Sequence, residues 1–357
     1  MTKKCIIVQT AFLGDVLLTL PLCVAIKRMD PSQHVVLVTT PQAAEFVRGL
    51  GVVDEVIAFD KRGEHSTSSA QKALALSIAS SSECTVIVPH KSFRTMLFVR
   101  SMKAQSVFTY ADAATRWIAT ATVPYPVSML DAARHLTLLG PIASTVPALH
   151  SLAPIRLYTP EDFSSTESML PEGPGPLVVL APGSAWLTKK WPAGNFRDLA
   201  GRLVGAGARV VVIGDPSTSG IVVEGRTTSD CSGKTTLRQA AAVIARANVV
   251  ISNDSAPVHL ASLQQVPVIA LFGPTIPEFG FAPFGPMVEL IGRSDLACRP
   301  CSAHGTQRCP LGTHECMTSI TADSVFSSAL NFLQAHDETR HASKKTTTTS
   351  QEDHFPD

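Results

Sequence analysis

The 357-residue chain has almost no excess of charge of either sign, with a formal net charge of +1. A protein built to hold nucleic acid carries a basic excess, so that class is excluded as a primary role. No apolar run reaches the length needed to cross a bilayer. Lys3 and Lys4 precede apolar residues, and Leu20-Pro-Leu-Cys23 mimics a lipoprotein cleavage site. Gln9, Thr10 and Asp15 interrupt what would have to be the apolar centre of an export signal, so the expectation is a cytoplasmic protein. No G-x-G-x-x-G follows the first strand, which argues against a dehydrogenase. Gly233-Lys-Thr235 ends like a phosphate-binding P-loop, but Thr228 stands where that motif needs its first glycine, and no strong strand precedes it. The ATPase reading is therefore rejected in favour of a turn before a helix starting near Leu237.

What is present is alternation. Apolar strand-like runs at 5–8, 35–38, 52–59, 85–88 and 107–110 alternate with helical stretches at 13–29, 41 onward, 71–79, 93–103 and 131–139. From Ser144 to Pro176 the pattern fails, punctuated by Pro154, Pro160, Pro171, Pro174 and Pro176. It restarts with strands at 177–180, 210–213, 249–251 and 266–272 and helices at 196–204, 237–247 and 322–335. Units of this length mean parallel sheets covered on both faces. The predicted class is α/β, with two Rossmann-like domains, 1–165 and 166–335, facing a central cleft. Ligands in such sheets bind beyond the carboxyl ends of the strands. After His336 the chain is polar and cannot bury a core, which predicts a disordered tail over 336–357.

The stretch Val249–Leu260 organises the second half. Val249, Val250 and Ile251 read as a buried strand. Asn253, Asp254 and Ser255 are N-cap residue types, and Pro257 fits only a first helical turn, so a helix begins near Ser255 or Ala256. Its free N–H groups suit a phosphate, and His259 adds a donor one turn in. The same residues also describe an ordinary capped turn. Asp15, after Gly14 in the first strand-to-helix turn, is either a dipole partner or a functional acid. Gly183 and Ser184 can present backbone and hydroxyl groups to an anion, while Lys189 or Lys190 supplies a point charge. Lys91, Arg94, Arg100 and Lys103 on one helix form either a grip for anionic groups or a solvated basic face.

Cysteine usage divides the chain. Cys5, Cys23, Cys84 and Cys231 are scattered and read as buried thiols in a reducing compartment. Cys298, Cys301, Cys309 and Cys316, with His304 and His314, admit a zinc site, free thiols or a structural loop. One close pair plus two distant cysteines is the weaker metal pattern.

In order and spacing these pieces resemble the ADP-heptose:lipopolysaccharide heptosyltransferases of glycosyltransferase family nine, most closely the heptosyltransferase II branch. The pieces are Gly14-Asp15 with Leu20-Pro21, Lys91-Ser-Phe-Arg94, Ala181-Pro-Gly-Ser184, Lys189-Lys-Trp-Pro192 and Gly233-Lys-Thr235. Asn253-Asp-Ser255 with His259, Phe272-Gly-Pro-Thr275 and the loop Cys298–Met317 complete them. The resemblance implies a GT-B fold and an inverting transfer of heptose from ADP-heptose to the lipopolysaccharide inner core, with no cofactor and no metal. It implies Asp15 as general base, Lys189 neutralising the departing diphosphate, and donor contacts from Gly14, Gly183, Ser184, Asp254, Ser255, Ala256 and His259. Lys91 and Arg94 are then acceptor contacts, and peripheral contact with the cytoplasmic face of the inner membrane follows from a lipid-borne acceptor. The family usually has glycine where this chain has Ala256, which implies altered fit with binding retained. The family's adenosine-side acid does not map cleanly onto this chain; Asp215, after Gly214, is a candidate for it and the adenosine contacts stay open. Two other readings share the scaffold: a different nucleotide-sugar glycosyltransferase, and a non-catalytic nucleotide-binding protein.

Overall fold

The computed structural model describes residues 4–79 and 84–349, with side chains described to residue 335. The chain forms two compact units, Met1–Thr159 with Pro277–Ala282, and Pro160–Ile276 with Pro283–Asp357.

In the first unit the elements are β1 (Lys4–Val8), α1 (Leu13–Met29), β2 (His34–Thr39), α2 (Pro41–Val47), β3 (Glu55–Ala58) and α3 (Ser68–Ile78). They continue with β4 (Cys84–Ile87), α4 (Phe93–Ser101), β5 (Ser106–Tyr110), β6 (Ala121–Val123) and α5 (Asp131–Thr137). The six strands pair in the order β3-β2-β1-β4-β5-β6. All pairings are parallel, with Ile6 of β1 opposite Val36 on one side and Val86 on the other. Central strands covered on both faces must be apolar throughout, and Ile6, Ile7, Val8, Val35, Val36, Leu37 and Val38 are all fully buried. From β1 the chain moves to β2 on one side, and β4 later returns to the other. The crevice at the carboxyl ends of β1 and β4 is therefore a topological switch point.

The second unit contains α6 (Pro160–Ser165), β7 (Leu177–Ala181), α7 (Ala193–Gly205), β8 (Arg209–Val212), β9 (Thr228–Asp230) and α8 (Leu237–Ile244). After them come β10 (Val249–Asn253), α9 (Ala256–Leu263), β11 (Val268–Phe272), β12 (Val288–Gly292), α10 (Glu315–Thr318) and α11 (Ala322–Thr349). Its order is β12-β11-β10-β7-β8-β9, again parallel throughout. Ile251 lies between Leu180 and Ile269. Here the switch point falls between β7 and β10, which puts the loop after β7 beside the start of α9.

Three expectations are corrected. The boundary anticipated at residue 165 falls at 159, because α6 packs with α8: Arg238 pairs with Asp162 at 3.2 Å and the Arg246 guanidinium lies 3.5 Å from the Phe163 ring centre. The tail expected to lack structure from 336 is helical to Thr349, as α11 is already nucleated over its buried first turns and extension costs less than nucleation; residues 350–357 lie outside the described ones. Edge strands β6, β9 and β12 had no counterpart in the sequence reading, since they are short or half exposed and lack a continuous apolar run. One of them, β9, precedes Gly233, whose φ of +71° nonetheless makes a turn before α8.

Candidate active site

In the first unit Asp15 occupies the third position of α1, half-buried, and its Oδ2 accepts the Phe12 N–H at 3.1 Å. Gly14 is the residue before it in the same turn. An acid here accepts the Phe12 amide and sits at the positive end of the helix dipole. Thr19 Oγ1 donates to Asp15 O at 2.8 Å, securing the turn from behind.

After the carboxyl ends of β1, β3 and β4 in the same unit lies a cluster that sequence reasoning missed. Lys61 Nζ donates to Thr10 Oγ1 at 2.6 Å and to Thr95 Oγ1 at 3.1 Å. Burial, with the charge of Arg94 added, pulls Lys61 down to about 8. His90, 3.2 Å from Thr10 Oγ1 through Nδ1, is pulled down to about 4 by burial and by Lys61. A neutral imidazole can accept the Thr10 hydroxyl proton while Thr10 accepts from the ammonium. Lys61 thus faces hydroxyls, a neutral ring and a second cation, surroundings that favour an incoming anion. Lys91 points elsewhere: its Nζ is 2.8 Å from Asp112 Oδ2 and 3.6 Å from the Tyr125 ring centre. Of the two anticipated acceptor contacts, only Arg94 joins the Lys61 cluster.

In the second unit Lys189 and Asp254 form a 2.6 Å ion pair, with side chains 12% and 4% exposed. Thr275 Oγ1 donates to the same Asp254 Oδ2 at 2.6 Å. Asn253, fully buried, joins the segments that carry these groups. Its Nδ2 donates to Pro182 O at 2.7 Å, and its Oδ1 accepts the Trp191 N–H at 3.1 Å. Ser255 holds the cap position of α9, yet its hydroxyl makes no cap hydrogen bond; it donates instead to Gly183 O at 3.1 Å. The first-turn amides of α9 are left without a side-chain cap, an arrangement that suits an external anion. Ala256 opens that helix and His259 is buried within it. Ser184 Oγ accepts from Trp186 N at 3.2 Å. Asp215 lies against Gly183, where an added Cβ would sit 3.6 Å from its carboxylate. A hydrogen bond from Ser217 keeps that carboxyl below the usual range.

The cysteine loop braces Lys189. Thr188 Oγ1 donates to Thr306 O at 2.8 Å and accepts from Thr306 N at 2.8 Å, while His314 Nε2 donates to Thr188 O at 2.7 Å. All eight cysteines are free thiols, and Cys5, Cys23, Cys84 and Cys231 are buried. Among the described residues, no three His, Cys, Asp or Glu side chains are grouped to hold a metal. Backbone amides of residues 311–314, His314 foremost, lower the Cys309 thiol, whereas burial pushes Cys316 up to about 11.

Residues 144–310 match the model of glycosyltransferase family 9 (heptosyltransferase). A lipooligosaccharide heptosyltransferase 2 from Campylobacter jejuni is 35% identical over 102 residues, 28% of this chain and 30% of that protein. The matched stretch spans about a third of the length of the curated relatives. Two solved structures align over nearly the whole chain. A family 9 glycosyl transferase from Veillonella parvula has a TM-score of 0.80 at 23% identity, covering 93% of this chain and 98% of its own. The ADP-heptose LPS heptosyltransferase II of E. coli has a TM-score of 0.73 at 18% identity, covering 94% and 99%. At these identities the likeness carries the fold, which is GT-B with two parallel six-stranded α/β sheets. Residues 144–310 are thus similar to glycosyltransferase family 9 (heptosyltransferase), and the chain that carries them has the GT-B fold of the solved structures it aligns with.

Proposed function

We propose that the protein transfers heptose from ADP-heptose to the inner core of lipopolysaccharide, with inversion and without a metal. The observation that carries this reading is the uncapped start of α9 beside the Lys189–Asp254 pair, within the segment matched to family 9. The acceptor hydroxyl attacks the anomeric carbon on the face opposite the diphosphate. The new C–O bond forms as the bond to the phosphate oxygen breaks. Asp15 takes the hydroxyl proton in that step. The ADP leaving group gains negative charge, which Lys189 and the first amides of α9 stabilise as it develops. Gly183, Ser184, Ser255 and His259 shape the donor pocket. Lys61 and Arg94 meet anionic groups of the acceptor, with Lys91 held back by Asp112. Because the acceptor is lipid-borne, the protein works from the cytoplasm at the inner-membrane surface.

Mass spectrometry of products formed from ADP-heptose and a defined core acceptor tests the reading. One added heptose, formed at an unchanged rate in the presence of a chelator, is the expected result. A hexose adduct from another nucleotide sugar, with UDP outcompeting ADP, would shift the assignment to a different glycosyltransferase. Tight ADP binding with no product from any donor would mean a non-catalytic nucleotide-binding protein.

A further inference from the structure

One face of α4 has no counterpart in the transfer chemistry. The helix buries Thr95, Met96, Phe98 and Val99 against the sheet. Outward it presents Phe93 and Leu97, four residues apart, followed by Arg100 three residues on. The Arg100 guanidinium lies over the ring of Trp117, 5.4 Å from its centre, and Trp117 itself is 61% exposed. Single exposed apolar side chains need no explanation. An exposed tryptophan, phenylalanine and leucine set among unpaired cations do.

The charge is concentrated here. Between Lys91 and Trp117 stand five basic residues and one acidic residue, in a chain whose net charge is +1. The acid, Asp112, is taken by Lys91. Among the described residues, Arg100, Lys103 and Arg116 enter no ion pair. An amphipathic face with a tryptophan at its margin and arginines around it matches a water–lipid boundary, where the indole sits at headgroup level and the cations meet lipid phosphates.

We propose that the exposed face of α4, with Trp117, Arg100, Lys103 and Arg116, is a docking surface for an anionic lipid bilayer. The charge complementarity selects this occupant. A second copy of the chain would bring the same three cations against themselves, at the cost of like-charge repulsion. The proposal extends the reading of a lipid-borne acceptor, but its physics depends only on this surface.

Sedimentation of the full chain with phosphatidylcholine vesicles, with and without phosphatidylglycerol, tests it. Binding is expected only to the anionic vesicles and is reversed by added salt. Arg100→Gln with Lys103→Gln should weaken partitioning about thirtyfold. Leu97→Ser with Trp117→Ser should weaken it about tenfold or more. A control pair on the second unit, Val223→Ser with Arg226→Gln, should bind as the wild type does. Both α4-face variants should retain transfer to a water-soluble acceptor fragment, so a failed transfer assay and a failed vesicle assay are separate results. If Leu97→Ser with Trp117→Ser lowers the melting temperature, the charge variant still decides the matter. Equal binding to neutral vesicles, no binding, variants that bind like wild type, or dimerisation through this face without lipid would each overturn the proposal.

Discussion

Lys189 Nζ and Thr275 Oγ1 converge on a single carboxylate oxygen, Asp254 Oδ2, each at 2.6 Å. The cation proposed to meet the diphosphate is thus already paired and almost dry. Asp254→Asn leaves that cation buried without a partner, at a cost of about 3–5 kcal/mol. A diphosphate would replace the missing charge, so saturating ADP should raise the melting temperature of Asp254→Asn more than that of the wild type. In Lys189→Met the ADP-induced shift should shrink. Equal ADP shifts in all three proteins, measured by scanning fluorimetry, would remove Lys189 from the donor site.

Asp15→Asn separates the two roles open to that residue. The amide oxygen can still accept the Phe12 N–H, so α1 keeps its start and the fold is retained. Proton acceptance is lost, and kcat should drop by about 10²–10⁴. ADP-induced stabilisation should match the wild type. Turnover within a factor of two of wild type would end the general-base assignment.

Lys61 makes acceptor binding depend on pH. Its charge is held only below about pH 8, so the acceptor KM should climb as pH rises through that value. Lys61→Arg stays charged and should flatten the profile. Stability moves the other way. The folded value lies below the ordinary 10.5, so between about pH 8 and 10.5 the unfolded chain binds more protons and stability rises with pH. Lys61→Met should therefore raise the melting temperature at pH 7 while weakening acceptor binding about tenfold to a hundredfold. An acceptor KM that ignores both pH and this substitution would place the acceptor's anionic groups elsewhere.

Asn253 is a positioning residue in the second unit. Its carboxamide both donates to Pro182 O and accepts from Trp191 N, which neither Ala nor Asp can do. Asn253→Ala should cost about 2–3 kcal/mol through two buried groups left unpaired. Asn253→Asp should be at least as costly, because a carboxylate cannot donate to Pro182 O. ADP affinity should fall in both, as the Gly183 loop and the Lys189 segment lose their common tie. Calorimetric ADP binding at wild-type strength in folded Asn253→Ala would contradict this.

The α/β class and most elements were legible because central parallel strands are continuous apolar runs, as at Val35–Val38 and Val249–Ile251. The start of α9 was legible from the cap-type residues 253–255 and from Pro257. The same residues misled in one respect: Ser255 is a cap by type, but its hydroxyl ties Gly183 and leaves the helix open. The edge strands were missed because they are short or only partly buried and lack a continuous apolar run. The helix beyond 335 was missed because composition reports whether a core can form, while a helix already nucleated can continue without one.

The sequence alone determined where chain alternates between strand and helix, where α1 and α9 begin, and hence that Asp15 and Asp254 stand at helix starts. Those are local properties of short windows. Tertiary structure decided which cations are engaged and which are available. Lys91 is taken by Asp112, Lys189 by Asp254, and Lys61 is left among hydroxyls contributed by residues 51 and 34 positions away. Strand order brings these segments together, and no single window records it, because the energy of a buried charge depends on neighbours that only the folded sheet supplies.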